Sequence, residues 1–296
     1  MIPIPGSPVT IALAPVAALV SLGFLCGKTL RLPIKVLANF VIFVSSPCLV
    51  LASLIHHPLP LAQIAPIALG AALVVSIPAV GISLIGALWK NRRARNFAVA
   101  SSFMNSGFIG FPLTLALFGE IGMPLAIIYD LVNAFILFSL GIYLIADDRG
   151  ILEVLKQPFL YACLIGLTAG AHGVHLPDPL MGALHTIGMT TIPLMLFILG
   201  VELSKCGIPS FKIALAGAVV RLAGGLLLGI ALSRLFGFTG MERSIFILLS
   251  VMPSAVGNVV IAKRYEAEEE LVTSVVTMGT FLAPLMIFFV VGFVIK

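Results

Sequence analysis

Long apolar blocks follow one another along the chain, divided by short polar turns. A membrane-spanning helix needs about 20 such residues. Ten blocks can be placed, over approximately 8–27, 35–55, 63–88, 95–118, 121–146, 156–173, 180–202, 210–236, 242–262 and 269–295. The longest polar interval is the short run from Ala146 to Gln157, and no low-complexity tract or soluble domain interrupts the series. The pattern predicts an all-α polytopic membrane protein of ten transmembrane helices. Two blocks are flawed as helices. The fourth carries Asn105-Ser-Gly-Phe-Ile-Gly-Phe-Pro112, whose glycines and proline are poor material for a continuous helix. The ninth carries Pro253-Ser-Ala-Val-Gly-Asn258, again with an asparagine. Inside a bilayer a broken helix is tolerated only where protein or a water-filled cavity satisfies the freed backbone groups.

Composition supports the membrane reading. Of 296 residues, 60% are hydrophobic and 10% charged, against roughly 25% charged in soluble domains; mean hydropathy is +1.19. The net charge of +5 would point to nucleic acid in a soluble protein, but here basic loops account for it. Loops after segments one, three, five, seven and nine hold thirteen Lys and Arg: Lys28, Arg31, Lys35, Lys90, Arg92, Arg93, Arg95, Arg149, Lys156, Lys205, Lys212, Lys263 and Arg264. The opposite side holds Arg234, Arg243 and Lys296, and Arg221 lies within a segment. The positive-inside rule then puts both termini on the non-cytoplasmic side of a plasma (inner) membrane. Trp89, Tyr143 and Tyr161 fall near cytoplasmic segment ends, where an aromatic belt is expected. Met1 to Thr10 has no basic residue and so lacks the n-region of a cleavable signal; the first block is expected to stay as a helix. Cys26, Cys48, Cys163 and Cys206 are scattered and suggest neither a disulfide framework nor a zinc site. No metal or cofactor is expected.

A repeat is visible at an offset near half the chain. A shift of 146 carries Pro47 onto Pro193, Ile67-Ala68-Leu69 onto Ile213-Ala214-Leu215, and Glu120 onto Glu266; a shift of 144 carries Leu32-Pro33 onto Leu176-Pro177. With five segments in each half, 1–148 and 149–296, the second copy enters from the opposite side, which makes an inverted repeat. Paired broken helices in corresponding positions of such halves point to the substrate site of a secondary transporter.

The breaks leave half-helix N-termini whose N–H groups and partial positive charge suit a carboxylate. Asn105 and Asn258 either line that site or satisfy the broken backbone. Arg221 sits ~16 Å inside its segment at 1.5 Å per residue and must face protein or water with a partner. Asp130, near the same depth in segment five, is the candidate, either as a packing pair or as a pair whose charge state changes with substrate or proton. Gly217, Arg221, Gly225 and Gly229 recur every fourth residue, a face for close helix packing. Asn133 shares a face with Asp130. Thr273, Thr277, Thr280 and Pro284 form a polar stripe, though threonines commonly bond back to their own helix. Glu202 is expected at the interface. His172, His175, Asp178 and His185 read as polarity of an external loop rather than a metal site.

Asn105-x-Gly107-x-x-Gly110-x-Pro112, Pro47-x-Leu49, Arg221 and the Pro253–Asn258 break, in this order and spacing, resemble the auxin efflux carrier family. Bacterial members of that family include malate or malonate permeases, and it falls within the bile acid/auxin/arsenite-type transporter superfamily. The likeness covers almost the whole chain. It implies a scaffold of helices one, two, six and seven, and a transport domain of helices three to five and eight to ten around crossed broken helices four and nine. It also implies homodimers, which the residues themselves do not show. Unlike the plant carriers, the chain has no long loop between helices five and six, so control by phosphorylation there is not implied and auxin is disfavoured as the substrate. The chain is more distantly similar to sodium–bile acid carriers, whose Glu-x-x-x-Gln-Asn run at the second break helps to hold sodium. Here Pro253 stands for the acid and Gly257 for the amide, so two oxygen donors that a hard cation wants are missing.

These features lead to a carrier for a small organic anion, a mono- or dicarboxylate. Asn105, Gly107, Gly110, Pro112, Pro253 and Asn258 are expected to bind it, facing Pro47, with Asp130 and Arg221 for charge or proton coupling. The alternatives are a channel, a sodium-coupled symporter of the same fold, or an intramembrane enzyme. The last would need a motif such as His-Glu-x-x-His or Gly-x-Ser-x-Gly, and neither occurs.

Overall fold

The computed structural model describes residues 8–30, 32–91, 93–146, 153 and 155–295. Arg31, Arg92, Arg149 and Lys296, counted above for orientation, lie outside the described residues, as does much of the Ala146 to Gln157 interval and the start of the chain. Among the described residues every regular element is helical. In order they are α1 (Pro8–Thr29), α2 (Ile34–His56), α3 (Leu61–Leu88), α4 (Arg93–Ser102), α5 (Ser106–Phe118), α6 (Glu120–Ala146), α7 (Pro158–Ala171), α8 (Asp178–Lys205), α9 (Phe211–Leu235), α10 (Gly240–Ser250), α11 (Val256–Arg264) and α12 (Glu269–Val294). Six of them, α2, α3, α6, α8, α9 and α12, are long and apolar enough to cross a membrane, while α5, α7 and α1 from Leu13 are shorter apolar helices. This is a multi-pass α-helical membrane protein.

The fourth and ninth apolar blocks are both split, though not where the glycines suggest. The first interruption is Phe103 to Asn105, and Gly107, Gly110 and Pro112 all lie inside α5. A π-helical turn over Ser106–Gly110 makes this possible, because it puts Pro112 at the head of the following α-helical stretch. There its missing N–H and fixed φ do no harm. Pro47 of α2 is handled in the same way, after a π-turn at Val41–Ser45. The second interruption runs from Val251 to Ala255 and contains Pro253, while Asn258 falls in the first turn of α11.

Two compact units emerge, one of Met1–Ile67, Gly107–Leu131 and Leu155–Lys205, the other of Ala68–Ser106, Val132–Val154 and Cys206–Lys296. Lipid tails are as apolar as leucine, so helices associate in a bilayer through close packing at small residues. In the first unit Gly23 lies against the backbone of Phe197, Gly27 against Ser204 and Gly200 against Val20, which brings α1 and the second half of α8 into backbone contact. Gly166 and Gly170 of α7 accept Leu54 of α2 in the same way. In the second unit the glycine face of α9 is used along its length. Gly217 lies under Val275 of α12, and Gly225 and Gly229 both lie against Ser250, the last residue of α10. Ala100, Ala262, Leu271, Val272, Val275 and Val276 close the core there.

Candidate functional site

The two interruptions meet. Met104 and Ser254 form an antiparallel bridge, with the Asn105 N–H donating to Pro253 O at 2.8 Å and the Ala255 N–H to Phe103 O at 3.1 Å. Each extended segment thus gives the other the backbone partners its helix no longer supplies. The bridge lies wholly in the second unit.

Four half-helix ends converge on this bridge, and two of them are C-termini with unpaired carbonyls and partial negative charge. Arg221 serves both. It is 1% exposed, its Nη1 donates to Ser102 O at 2.6 Å and its Nη2 to Ser250 O, so one guanidinium caps the last residue of α4 and the last residue of α10. A rigid fork of donors making charge-assisted bonds suits two carbonyls that both end helices. This also explains how a cation is tolerated at such depth.

Asn258 faces α4 from the other side of the bridge. Its Nδ2 donates to Phe103 O at 3.1 Å, to Ser254 Oγ at 3.0 Å and more weakly to Val99 O. Its Oδ1 is buried and has no hydrogen-bond partner among the described residues. Asn133 holds the first interruption: its Nδ2 donates to Met104 O at 2.8 Å and to Ser106 Oγ at 3.1 Å, and its Oδ1 accepts from Met104 N–H at 3.4 Å. At the second interruption Gly279 lies in van der Waals range of Pro253 and Ser254, with no side chain to spend.

The N-terminal ends differ. Asn105, Ser106 and Gly107 are all buried, whereas α11 begins after Ala255, which makes no side-chain cap, and Gly257 is exposed. An uncapped, accessible helix N-terminus is electrostatically prepared for an anion.

The other sequence candidates fall as follows. Gly110, Pro112 and Pro253 are buried and Pro47 half-buried. Pro47 is in the first unit, two residues before Leu49, which lines a cavity of about 350 Å³ with Leu115, Glu120 and His185. Asp130 is half-buried, and its two carboxylate oxygens lie 3.2 and 3.4 Å from where a Cβ on Gly107 would stand. Thr277 and Thr280 bond back to Thr273 O and Val276 O of their own helix. His172 bonds to Thr168 O and His185 to Glu120, and Glu202 pairs with Lys205. Among the described residues no group of three or more His, Cys, Asp or Glu is placed to hold a metal. Sequence reasoning placed Asn133 on a helix face without giving it a role, and passed over Ser102 and Ser250. Asn133 could have been found as an amide buried one turn beyond Asp130, but the serine contributions are backbone carbonyls and leave no mark in residue type.

The family model described as Membrane transport protein matches residues 8–154 and 150–291. An uncharacterized transporter of Methanothermobacter thermautotrophicus is 31% identical over 213 residues, covering 67% of this chain and 70% of the relative. An uncharacterized transporter of Methanocaldococcus jannaschii is 27% identical over 209 residues, covering 67% and 68%.

Proposed function

This chain belongs to the membrane transport protein family, and from that membership and the bridged half-helices we propose a secondary carrier of small organic anions, mono- or dicarboxylates, of the auxin efflux carrier type. Its relatives point to transport rather than catalysis. The observation that carries the reading is the bridge of two interrupted helices with an open N-terminus at Gly257. Such discontinuous helices near the midplane aim positive dipole ends at anionic substrate groups in several transporter folds. Asn105 and Asn258 supply side-chain amides, and the unpartnered Oδ1 of Asn258 awaits a donor, either water or a protonated group on the substrate. Gly107, Gly110, Pro112, Pro253 and Pro47 are the further residues proposed to bind the substrate. Asp130 is the acid proposed for proton coupling, with Arg221 as the second charged residue in that role.

The reading also keeps ten helices in two inverted repeats of 1–148 and 149–296. Supporting it, Ser102 and Ser250, which end α4 and α10, stand 148 residues apart, as do Ser106 and Ser254. Access alternates between the two sides of the membrane, with both termini on the non-cytoplasmic side. Transport does not require sodium. A radiolabelled carboxylate panel in proteoliposomes tests this: uptake should saturate, show counterflow, and persist when potassium or choline replaces all sodium. Flux without saturation or counterflow would mean a channel, and a strict, saturable sodium requirement would overturn the coupling proposal.

A further inference from the structure

A second site lies away from the bridge, at the basic face of the second unit. The last two turns of α3, the start of α4, the start of α9 and Leu271 of α12 enclose an open groove of about 540 Å³. Its floor is apolar, formed by Ile82, Ile85, Phe97, Ile213 and Ala216. Its polar lining is Asn91, Arg93 and Lys212, beside Trp89, and no acidic side chain is among the lining residues. Trp89 is 79% exposed, a large apolar ring with a polar N–H left at the end of an apolar helix. Lys212 makes no hydrogen bond or ion pair among the described residues. Arg93 pairs through Nε with Glu268 at 3.1 Å, an exposed contact that offsets part of its charge and leaves its two terminal amino groups for another acceptor. An apolar trough ending in an interfacial tryptophan and two cations has the polarity profile of a lipid, chain below and headgroup above.

We infer that this groove binds an anionic phospholipid of the leaflet that meets the basic face, with one acyl chain along Ile82, Ile85 and Ile213 and the phosphate between Arg93 and Lys212. A zwitterionic lipid fits the trough equally well but brings a compensating ammonium to the rim, so the preference is for net negative charge. An uncompensated basic group at the headgroup level, here Lys212, enriches such a lipid by roughly five-fold.

Trp89 is the only tryptophan in the chain, so its fluorescence reports on this groove alone. The protein is reconstituted in phosphatidylcholine vesicles that carry a minor fraction of either brominated phosphatidylglycerol or brominated phosphatidylcholine. The anionic brominated lipid should quench Trp89 several-fold more per mole. In Arg93→Gln/Lys212→Gln protein the two lipids should quench alike, while Arg93→Lys/Lys212→Arg protein should keep the preference. Millimolar inorganic phosphate should not reverse the quenching. Equal quenching by both lipids in the unmodified protein overturns the proposal without any variant. Reversal by free phosphate would mean an anion site and not a lipid site. Because the readout is not transport, its failure leaves the carrier reading untouched.

Discussion

After α4 the chain takes three residues, Phe103 to Asn105, to change direction, and all are buried; after α10 it takes five, Val251 to Ala255, and emerges at the exposed Gly257. The first junction is clamped by a side chain from outside it, Asn133, which satisfies Met104 on both its N–H and its C=O. The second has Gly279 beside it, and Asn258 Nδ2 donates to its Ser254 Oγ at 3.0 Å. The contrast teaches a division of labour. On the proposed reading, the closed junction holds the bridge in place, and the second, which ends at the exposed Gly257, keeps N–H donors available to a substrate. A site needs both, since a substrate cannot be bound by groups already satisfied, nor positioned by groups that are not held.

The sharpest way to break this comparison is to remove the cation that serves the helix ends at both junctions. Arg221→Leu should cost about 3–6 kcal/mol, the sum of two hydrogen bonds to a charged donor, and leave little monodisperse protein after detergent extraction. If Asp130 is its charge partner, Arg221→Leu/Asp130→Asn should recover part of the loss in melting temperature that either change produces alone. Strictly additive losses would exclude the pair.

Next in size is the contrast between the asparagines. Asn133→Ala strands the Met104 amide and carbonyl in a buried place and should lower stability by about 1–3 kcal/mol. Asn258→Ala removes two good bonds but also an oxygen without a partner among the described residues, so it should destabilise less. Its larger effect should be on substrate affinity, roughly tenfold or more, read by binding to the purified protein. Equal stability losses with unchanged affinity would make both asparagines structural.

The glycines give a finer test. An alanine at position 107 would crowd the Asp130 carboxylate oxygens at 3.2 and 3.4 Å, whereas at 257 its nearest neighbour is Leu137 Cδ2 at 3.9 Å. Gly107→Ala should therefore lower stability by about 1 kcal/mol. Gly257→Ala should be neutral or up to about 0.5 kcal/mol more stable from helix propensity, yet weaken anion binding at the open helix end. A destabilised Gly257→Ala protein would mean that the second junction is as tightly held as the first.

The smallest effect lies in the first unit, outside both junctions, and serves as their control. His57, just past α2, has its pKa pushed below the usual value by burial and then by His56, against an upward pull from Glu120. The folded state thus favours the neutral ring, and the stability this gives is fully present above the unfolded pKa of ~6.5. It is lost as pH falls below that value. Melting temperature should drop slightly from pH 7.5 to 5.5, and less so in His57→Gln protein, with no change in any contrast between the junctions.

Much of this was legible in the chain. Apolar length marked the six long helices α2, α3, α6, α8, α9 and α12, and Pro253 marked its break because a proline in mid-helix leaves few alternatives. Gly107, Gly110 and Pro112 misled by a few residues, because a π-turn absorbs a proline by shifting it to the start of the next α-helical stretch, and residue type does not announce a π-turn. Arg221 was recognisable as a buried cation, but the carbonyls of Ser102 and Ser250 that receive it were not, since every residue has a carbonyl and only the fold decides which are left over. Asn133 was placed on the right helix face without a role, because its partner is again a main chain that must first be interrupted.

The capping of α4 has a consequence for how the protein is made. The donors that satisfy its C-terminal carbonyls come from Arg221, 119 residues after Ser102, and from Asn258, 155 residues after Phe103. At a synthesis rate of about 5–20 residues per second, the first junction waits on the order of 6–24 seconds in the membrane before Arg221 even leaves the ribosome. Through that interval the nascent first half carries open carbonyls in hydrocarbon and depends on water, lipid headgroups or the insertion machinery to cover them. A chain cut short between α8 and α9 lacks both donors, and should be degraded faster than the full-length protein in a pulse-chase measurement.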